Sequence, residues 1–231
     1  MTEKPCETAA AQHVLAEIAA ACERSGRNPE SVTLMAVTKT VTPERVNRLL
    51  DMGVTLIGEN RVQEYLSKRE AYHRPYTMHI IGHLQTNKVR DIIQDAACIE
   101  SVDSLHLLEK ISAEAVRCGR VMPCLLEWNV GGEASKTGAS EEEIRAMLKV
   151  SAGLEGVRID GLMCVPPVCT PEESRAYFAE TADLFRALQK TPEGRQMQTL
   201  SMGMSHDYTV AVEEGATIVR VGSALFGARQ N

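Results

Sequence analysis

Aromatic side chains are scarce in this chain of 231 residues: phenylalanine, tyrosine and tryptophan together make up 4%. Proteins that bind single-stranded nucleic acids use such side chains as stacking platforms. The 25 lysines and arginines are scattered and are outnumbered by 31 aspartates and glutamates, which gives a net charge of −6. Because nucleic acids and anionic membranes attract clustered basic residues, we expect neither as a partner and favour a small molecule.

Further absences indicate the cellular compartment in which the protein is expected. The longest apolar runs fall far short of the roughly 20 residues that a transmembrane helix needs, and nothing resembles a signal peptide. The seven cysteines are an odd number and include no Cys-x-x-Cys pair. Such cysteines are typical of reduced thiols in the cytosol. We therefore expect a cytoplasmic protein without a membrane segment.

The chain also lacks the Gly-x-Gly-x-x-Gly turn of a dinucleotide-binding open sheet, and it alternates instead between predicted strands and helices. An amphipathic helix from residue 7 to about residue 24 precedes eight strand–helix units. The predicted strands cover residues 33–38, 55–58, 78–82, 98–102, 123–130, 159–165, 199–203 and 217–221. The helices that follow them cover residues 43–52, 61–72, 86–94, 105–118, 141–151, 171–188 and 206–214, and a short turn runs through Phe226.

This alternation implies parallel strands, and several strands read as continuous apolar runs, as expected when helices cover both faces. Eight such units close most naturally into a (β/α)8 barrel, with an open doubly wound sheet as the alternative. We therefore predict an α/β protein with one barrel domain over residues 1–231 and an extra helix at its N-terminus. In a barrel, the loops after the strands carry the chemistry.

Lys39 follows an apolar strand at the point where such a barrel opens into a cleft. Burial lowers the pKa of an amine, and a neutral amine attacks an aldehyde to form a Schiff base. The alternative is a strand-end lysine that simply reaches into water. Lys39 on its own does not decide between the two.

The loops after the last two strands carry the signature of an anion site. Ser205 is expected at the start of a helix, and Gly222 and Ser223 open another helical turn with a flexible backbone. Exposed N–H groups at such positions bind phosphate, often at strands seven and eight of a barrel. The alternatives are an ordinary N-cap at Ser205 and an ordinary tight turn at Gly222.

Together with Lys39, this anion site suggests a phosphate ester that carries an aldehyde, and pyridoxal 5′-phosphate is the obvious candidate. Arg220 lies two residues before Gly222, from where it can reach the pyridine nitrogen. A guanidinium does not accept a proton, so it would leave that nitrogen unprotonated and weaken the ring as an electron sink.

Several motifs follow one another between about residue 33 and residue 228: AVTKT (36–40), GENRVQE (58–64), HIIGHLQTNK (79–88), GEASKTG (132–138), GLM (161–163) with the prolines 166–167, SMGMSHD (201–207) and VRVGSALFG (219–227). In this order they resemble the pyridoxal phosphate homeostasis protein family. The resemblance implies a single-domain barrel of the alanine-racemase N-terminal type that holds pyridoxal phosphate on Lys39. It also implies that Ser205, Gly222 and Ser223 bind the phosphate, that Arg220 faces the ring nitrogen and that Asn60 lines the pocket.

We therefore expect a pyridoxal-phosphate-binding protein and not an enzyme. It would store, buffer or deliver the cofactor as a monomer and hand it over transiently to apoenzymes. The alternative is an amino-acid racemase-like enzyme that uses Lys39 as one base, for which the sequence compels no second base. Lys136 lies in a glycine-rich loop. It is either a solvated surface lysine or a second amine that takes part in cofactor transfer. His79 and His83, four apart along a strand, are not expected to share a metal ion.

Overall fold

The computed structural model describes residues 7–133 and 137–227. Eight parallel strands close into a barrel in which each strand pairs with the next along the chain and β8 pairs with β1. The strands are β1 (Thr33–Val37), β2 (Leu56–Glu59), β3 (Thr77–Ile80), β4 (Cys98–Val102), β5 (Met122–Trp128), β6 (Val157–Cys164), β7 (Thr199–Ser201) and β8 (Ile218–Val221). This confirms the predicted barrel.

Helices cover the outside of the barrel, and one additional helix precedes the first strand, as predicted. They are α1 (Glu7–Arg24), α2 (Pro43–Asp51), α3 (Val62–Lys68), α4 (Val89–Ile92), α5 (Leu105–Arg117), α6 (Glu141–Ser151), α7 (Pro171–Gln189), α8 (Tyr208–Glu213) and α9 (Ser223–Phe226). Helices α6 and α7 begin with capping boxes at Ser140 and Thr170, which satisfy their first backbone N–H groups. No helix within residues 7–133 and 137–227 has the length and hydropathy needed to cross a membrane.

Helix α1 is tied to the barrel by the buried carboxylate of Glu7. This carboxylate accepts hydrogen bonds from Arg45 at 2.5 Å and Arg48 at 2.8 Å, both on α2, and Arg45 also donates to the carbonyl of Phe226. Burial alone would raise the pKa of Glu7, but the two arginine hydrogen bonds outweigh it and lower the pKa to about 2. The ion pairs therefore join α1 to α2 and to the end of α9.

The strands alternate between the barrel interior and the helical layer, as a closed sheet requires. Leu34 and Ala36 of β1 belong to the large cluster that includes the helices, whereas Met35 packs with Leu56 and Ile218 in a small separate cluster. A second small cluster joins β4, β5 and β6. Odd-numbered residues of β1 therefore face the interior, and β1 ends two residues before Lys39.

Three predicted helices are shorter in the structure. The helix predicted over residues 61–72 ends at Lys68 and continues as a 3-10 turn, Arg69–Ala71, and the helix predicted over 86–94 contains only four α-helical residues after a 3-10 turn. Helix α8 begins at Tyr208, after a turn in which the Asp207 carboxylate accepts from the Met204 N–H at 2.6 Å. Because of this turn, α8 begins three residues after Ser205. The expectation that Ser205 lies at the start of a helix was therefore wrong.

Candidate functional site

The carboxyl ends of β1, β2 and β8 bring Lys39, Asn60 and Gly222 together. In the strand registers, Val37 lies opposite Gly58 and Ala36 lies opposite Val221. A Cβ atom on Gly222 would lie 3.4 Å from the Cβ of Val37, two residues before Lys39. Lys39 itself is half-buried. The predicted amine and the predicted anion turn thus lie at the same mouth of the barrel.

Ser205 connects the loop after β7 to the start of α9. Its hydroxyl oxygen accepts hydrogen bonds from the Gly222 N–H at 3.1 Å and the Ala224 N–H at 3.2 Å. Ser205 therefore caps α9, although it lies 17 residues before Gly222 in the sequence. The N-cap of α8 is Asp207 and not Ser205. We call Ser205, Gly222, Ser223 and Ala224 the anion turn, because they form one compact group of a hydroxyl and backbone amides, in which the Gly222 and Ala224 N–H groups donate to Ser205 and the O–H of Ser205 is a further donor.

Arg220 is buried and lies inside the barrel, with a relative exposure of 4%. It donates to the Ser201 hydroxyl at 2.7 Å and to the Cys164 carbonyl at 2.8 Å. These bonds use two of the five N–H donors of a guanidinium. Arg220 is consequently fixed in orientation while donors remain for a ligand.

A buried hydrogen-bond chain balances the charge of Arg220. Ser201 donates to one oxygen of Glu100 at 2.6 Å, and the other oxygen of Glu100 lies 2.7 Å from Nδ1 of His79. Glu100 and Ser201 are fully buried. Because a buried cation is costly without a counter-charge, Glu100 stabilises Arg220 through Ser201. We call His79, Glu100, Ser201 and Arg220 the interior chain.

Sequence reasoning missed Glu100 and Ser201 of the interior chain and a second acidic group. Glu127, near the end of β5, is buried and accepts a hydrogen bond from Thr137 at 2.6 Å. Burial raises the pKa of Glu127, and that hydrogen bond offsets part of the rise. The available signal was polar residues inside otherwise apolar strands, here Glu100, Glu127 and Ser201.

The two histidines considered for a metal site have separate partners. His79 belongs to the interior chain, and Nδ1 of His83 lies 2.9 Å from Asp103 at the rim of the barrel. The two histidines thus contact different carboxylates and have no common partner in these hydrogen bonds. Lys136, the other amine considered at this mouth, lies outside the described residues.

Asn60 supplies a buried atom that suits a ligand. Its Oδ1 is buried and has no hydrogen-bond partner among the described residues. A buried acceptor without a partner is costly, so such atoms often mark a place where a ligand completes the hydrogen bonds. Gly82 packs against Asn60 so closely that a Cβ there would lie 2.6 Å from the Asn60 carbonyl oxygen. Asn60, the anion turn and Arg220 therefore fit a ligand with both anionic and polar groups.

Comparisons with known proteins show which family and fold this chain is similar to. The family model described as the alanine racemase N-terminal domain matches residues 9–230. A pyridoxal phosphate homeostasis protein from Aquifex aeolicus is 42% identical over 219 residues, which cover 94% of this chain and 96% of that protein.

Two solved structures of PipY from Synechococcus elongatus, each 35% identical, extend the comparison to three dimensions. The structure without PLP has a TM-score of 0.82 and the structure with PLP bound one of 0.79; this chain is covered to 92% in both, and the PipY chains to 99% and 100%. The match extends over the whole barrel that carries the candidate site. The chain therefore belongs to the pyridoxal phosphate homeostasis protein family, with a barrel of the alanine racemase N-terminal type.

Proposed function

We propose that this protein binds pyridoxal 5′-phosphate in the mouth of its barrel and buffers or delivers this cofactor within the cell. The observation that carries the proposal is the convergence of Lys39, the anion turn and the buried Arg220 at the ends of β1, β7 and β8. The relative PipY is described with PLP bound, and the Aquifex relative is named for pyridoxal phosphate homeostasis.

Each residue of the site has a role in this proposal. Pyridoxal 5′-phosphate supplies an aldehyde that condenses with a primary amine to form a C=N bond and release one water molecule. Lys39 provides the amine, while Ser205, Gly222 and Ser223 hold the phosphate in the anion turn. The buried Oδ1 of Asn60 accepts a hydrogen bond within the pocket.

Arg220 favours a carrier over a catalyst. Its guanidinium faces the ring nitrogen in this proposal and has no lone pair with which to accept a proton. The ring nitrogen therefore stays unprotonated, and the ring draws electrons less strongly. Chemistry that needs a stabilised carbanion is disfavoured, whereas reversible binding is not affected.

The biological setting is part of the same proposal. The protein acts in the cytoplasm as a monomer with residues 1–231 in one domain, and it hands the cofactor transiently to apoenzymes that depend on it. The described cysteines Cys22, Cys98, Cys118, Cys124 and Cys164 are free thiols, which suits a reducing compartment.

A racemase-like enzyme is the second candidate, and Glu127 is the observation that favours it. Burial raises the pKa of the Glu127 carboxyl, so it holds a proton more readily than an exposed carboxyl does. Such a group would complement Lys39 as a second acid or base.

Borohydride trapping tests the proposed function. The purified protein with added pyridoxal phosphate is reduced, digested and analysed by mass spectrometry, with Lys39→Ala as the control. The proposal expects the label on the peptide that contains Lys39, and none there in the control. A label found only on other lysines would refute the assignment of Lys39.

A further inference from the structure

Helix α3 holds both peptide groups that flank Lys39. The ammonium of Lys68 donates to the carbonyl of Thr38 at 3.0 Å, and a carboxylate oxygen of Glu64 accepts from the Thr40 N–H at 2.5 Å. We propose that Glu64 and Lys68 are positioning residues that aim the amine of Lys39 by fixing the turn in which it lies. This inference rests on the proposed function of Lys39 as the cofactor-bearing amine.

Lys39 lies in the middle of a tight turn. The Val41 N–H donates to the Thr38 carbonyl at 3.1 Å, so that Lys39 and Thr40 are the two central residues. Thr40 has a φ of 61°, which places a β-branched residue in the left-handed region. Such a conformation is costly and persists only when its surroundings impose it. The bond from Thr40 to Glu64 is the constraint that the structure provides.

The ammonium of Lys68 is itself firmly held. It is 11% exposed and lies 2.9 Å from a carboxylate oxygen of Glu64 and 2.9 Å from one of Glu59. The same oxygen of Glu59 accepts a hydrogen bond from the Thr38 hydroxyl at 2.7 Å. Hydrogen bonds between charged groups are shorter and stronger than neutral ones. Thr38 is therefore held through its backbone and its side chain by one charged cluster.

An ordinary helix ion pair would not have this effect. Glu64 and Lys68 are four residues apart on α3, a spacing that usually gives a weak pair on a solvated surface. Here each member also bonds to the turn around Lys39, one on either side of it. Loss of either bond frees one end of the turn, so the amine spends less time in the orientation that reacts with an aldehyde.

The reactivity of Lys39 without cofactor provides the first test. The ligand-free protein is treated with formaldehyde and borohydride, and methylation of Lys39 is followed by mass spectrometry in the wild type, Glu64→Ala, Glu64→Gln and Lys68→Met. The control is Glu141→Ala, which removes the matched ion pair with Arg145 on α6. We expect Glu64→Ala and Lys68→Met to lower the methylation rate of Lys39 about fivefold relative to the control, the effect of losing one hydrogen bond of average net strength.

The second test separates positioning from general damage to the site. Affinities are measured for pyridoxal phosphate and for pyridoxine phosphate, which has an alcohol in place of the aldehyde. If Glu64 and Lys68 act by positioning Lys39, Glu64→Ala and Lys68→Met should lower the affinity for pyridoxal phosphate about fivefold to tenfold. The affinity for pyridoxine phosphate should stay within about twofold of the wild-type value. Glu64→Gln keeps an acceptor for the Thr40 N–H and is expected to show a smaller loss of the same kind.

The outcomes remain distinguishable. Equal weakening of both ligands, or unchanged methylation and affinity in the folded variants, would overturn the positioning role. If Glu64→Ala does not fold, Lys68→Met and the mild Glu64→Gln carry the comparison. Failure of borohydride to label Lys39 in the wild type would refute the proposed function instead, because that result does not depend on α3.

Discussion

The interior chain predicts a large loss of stability when Glu100 loses its charge. We consider Glu100→Gln, which keeps the size of the side chain but places an amide nitrogen opposite a group that donated to the carboxylate. One of the two bonds made by the carboxylate, from Ser201 at 2.6 Å or to His79 at 2.7 Å, must then be broken or have its donor and acceptor reversed. Arg220, which is itself buried, also loses its counter-charge.

The magnitude follows from these contacts. A hydrogen bond to a charged group contributes about 1.5–3 kcal/mol, and breaking a buried ion pair costs about 3–5 kcal/mol when the partners touch. Glu100 acts on Arg220 through Ser201, so we expect the variant to lose about 2–4 kcal/mol of unfolding free energy. Urea unfolding monitored by circular dichroism should show a lower midpoint with an unchanged slope.

The control is Glu109→Gln, since Glu109 is exposed on α5. A surface change of this kind is expected to stay within about 0.5 kcal/mol of the wild type. A double-mutant cycle with Ser201→Ala should give a coupling energy above about 0.5 kcal/mol, because the two residues share one network. The reasoning fails if Glu100→Gln is as stable as the control variant or if the cycle shows no coupling.

Three further predictions concern the anion turn, α1 and the choice between carrier and enzyme. Ser205→Ala should weaken the binding of pyridoxal phosphate by about 1.5–3 kcal/mol, the range for a hydrogen bond to a charged group. If titration calorimetry gives the same affinity for the variant and the wild type, Ser205 does not bind the phosphate. The pKa of Glu7 is lowered from 4.5 to about 2, so its stabilisation is present above pH 4.5 and disappears as the pH falls towards 2. Glu7→Gln should therefore lose about 1–2 kcal/mol at pH 7, discounted because the arginines are partly exposed, and almost nothing near pH 2, as measured by urea unfolding at both pH values. In deuterium oxide, the protein with pyridoxal phosphate should not exchange the α-protons of amino acids at rates near a typical turnover of about 10 per second; fast stereospecific exchange, abolished by Glu127→Gln and by Lys39→Ala, would favour the enzyme.

The order of elements was predictable because it rests on local patterns. Apolar runs bounded by turn residues predict strands that are covered on both faces, and the helical periodicity between them predicts a parallel arrangement. Lys39 was noticeable for the same reason, since a lysine directly after such a run lies at a strand end. The position of Gly222 and Ser223 after the last strand likewise pointed to an anion turn.

Contacts between distant parts of the chain depended on how the barrel closes. Ser201 and Glu100 are 101 residues apart, and only the closed sheet directs both into the interior beside Arg220. The role of Ser205 was also decided in three dimensions, because its hydroxyl meets the N–H groups of Gly222 and Ala224. Periodicity states which face a residue occupies, but the register of eight strands determines which residues meet across that face. The sequence alone therefore determined the barrel and the place of Lys39 after its first strand, whereas strand register decided which groups orient the buried arginine and the anion turn.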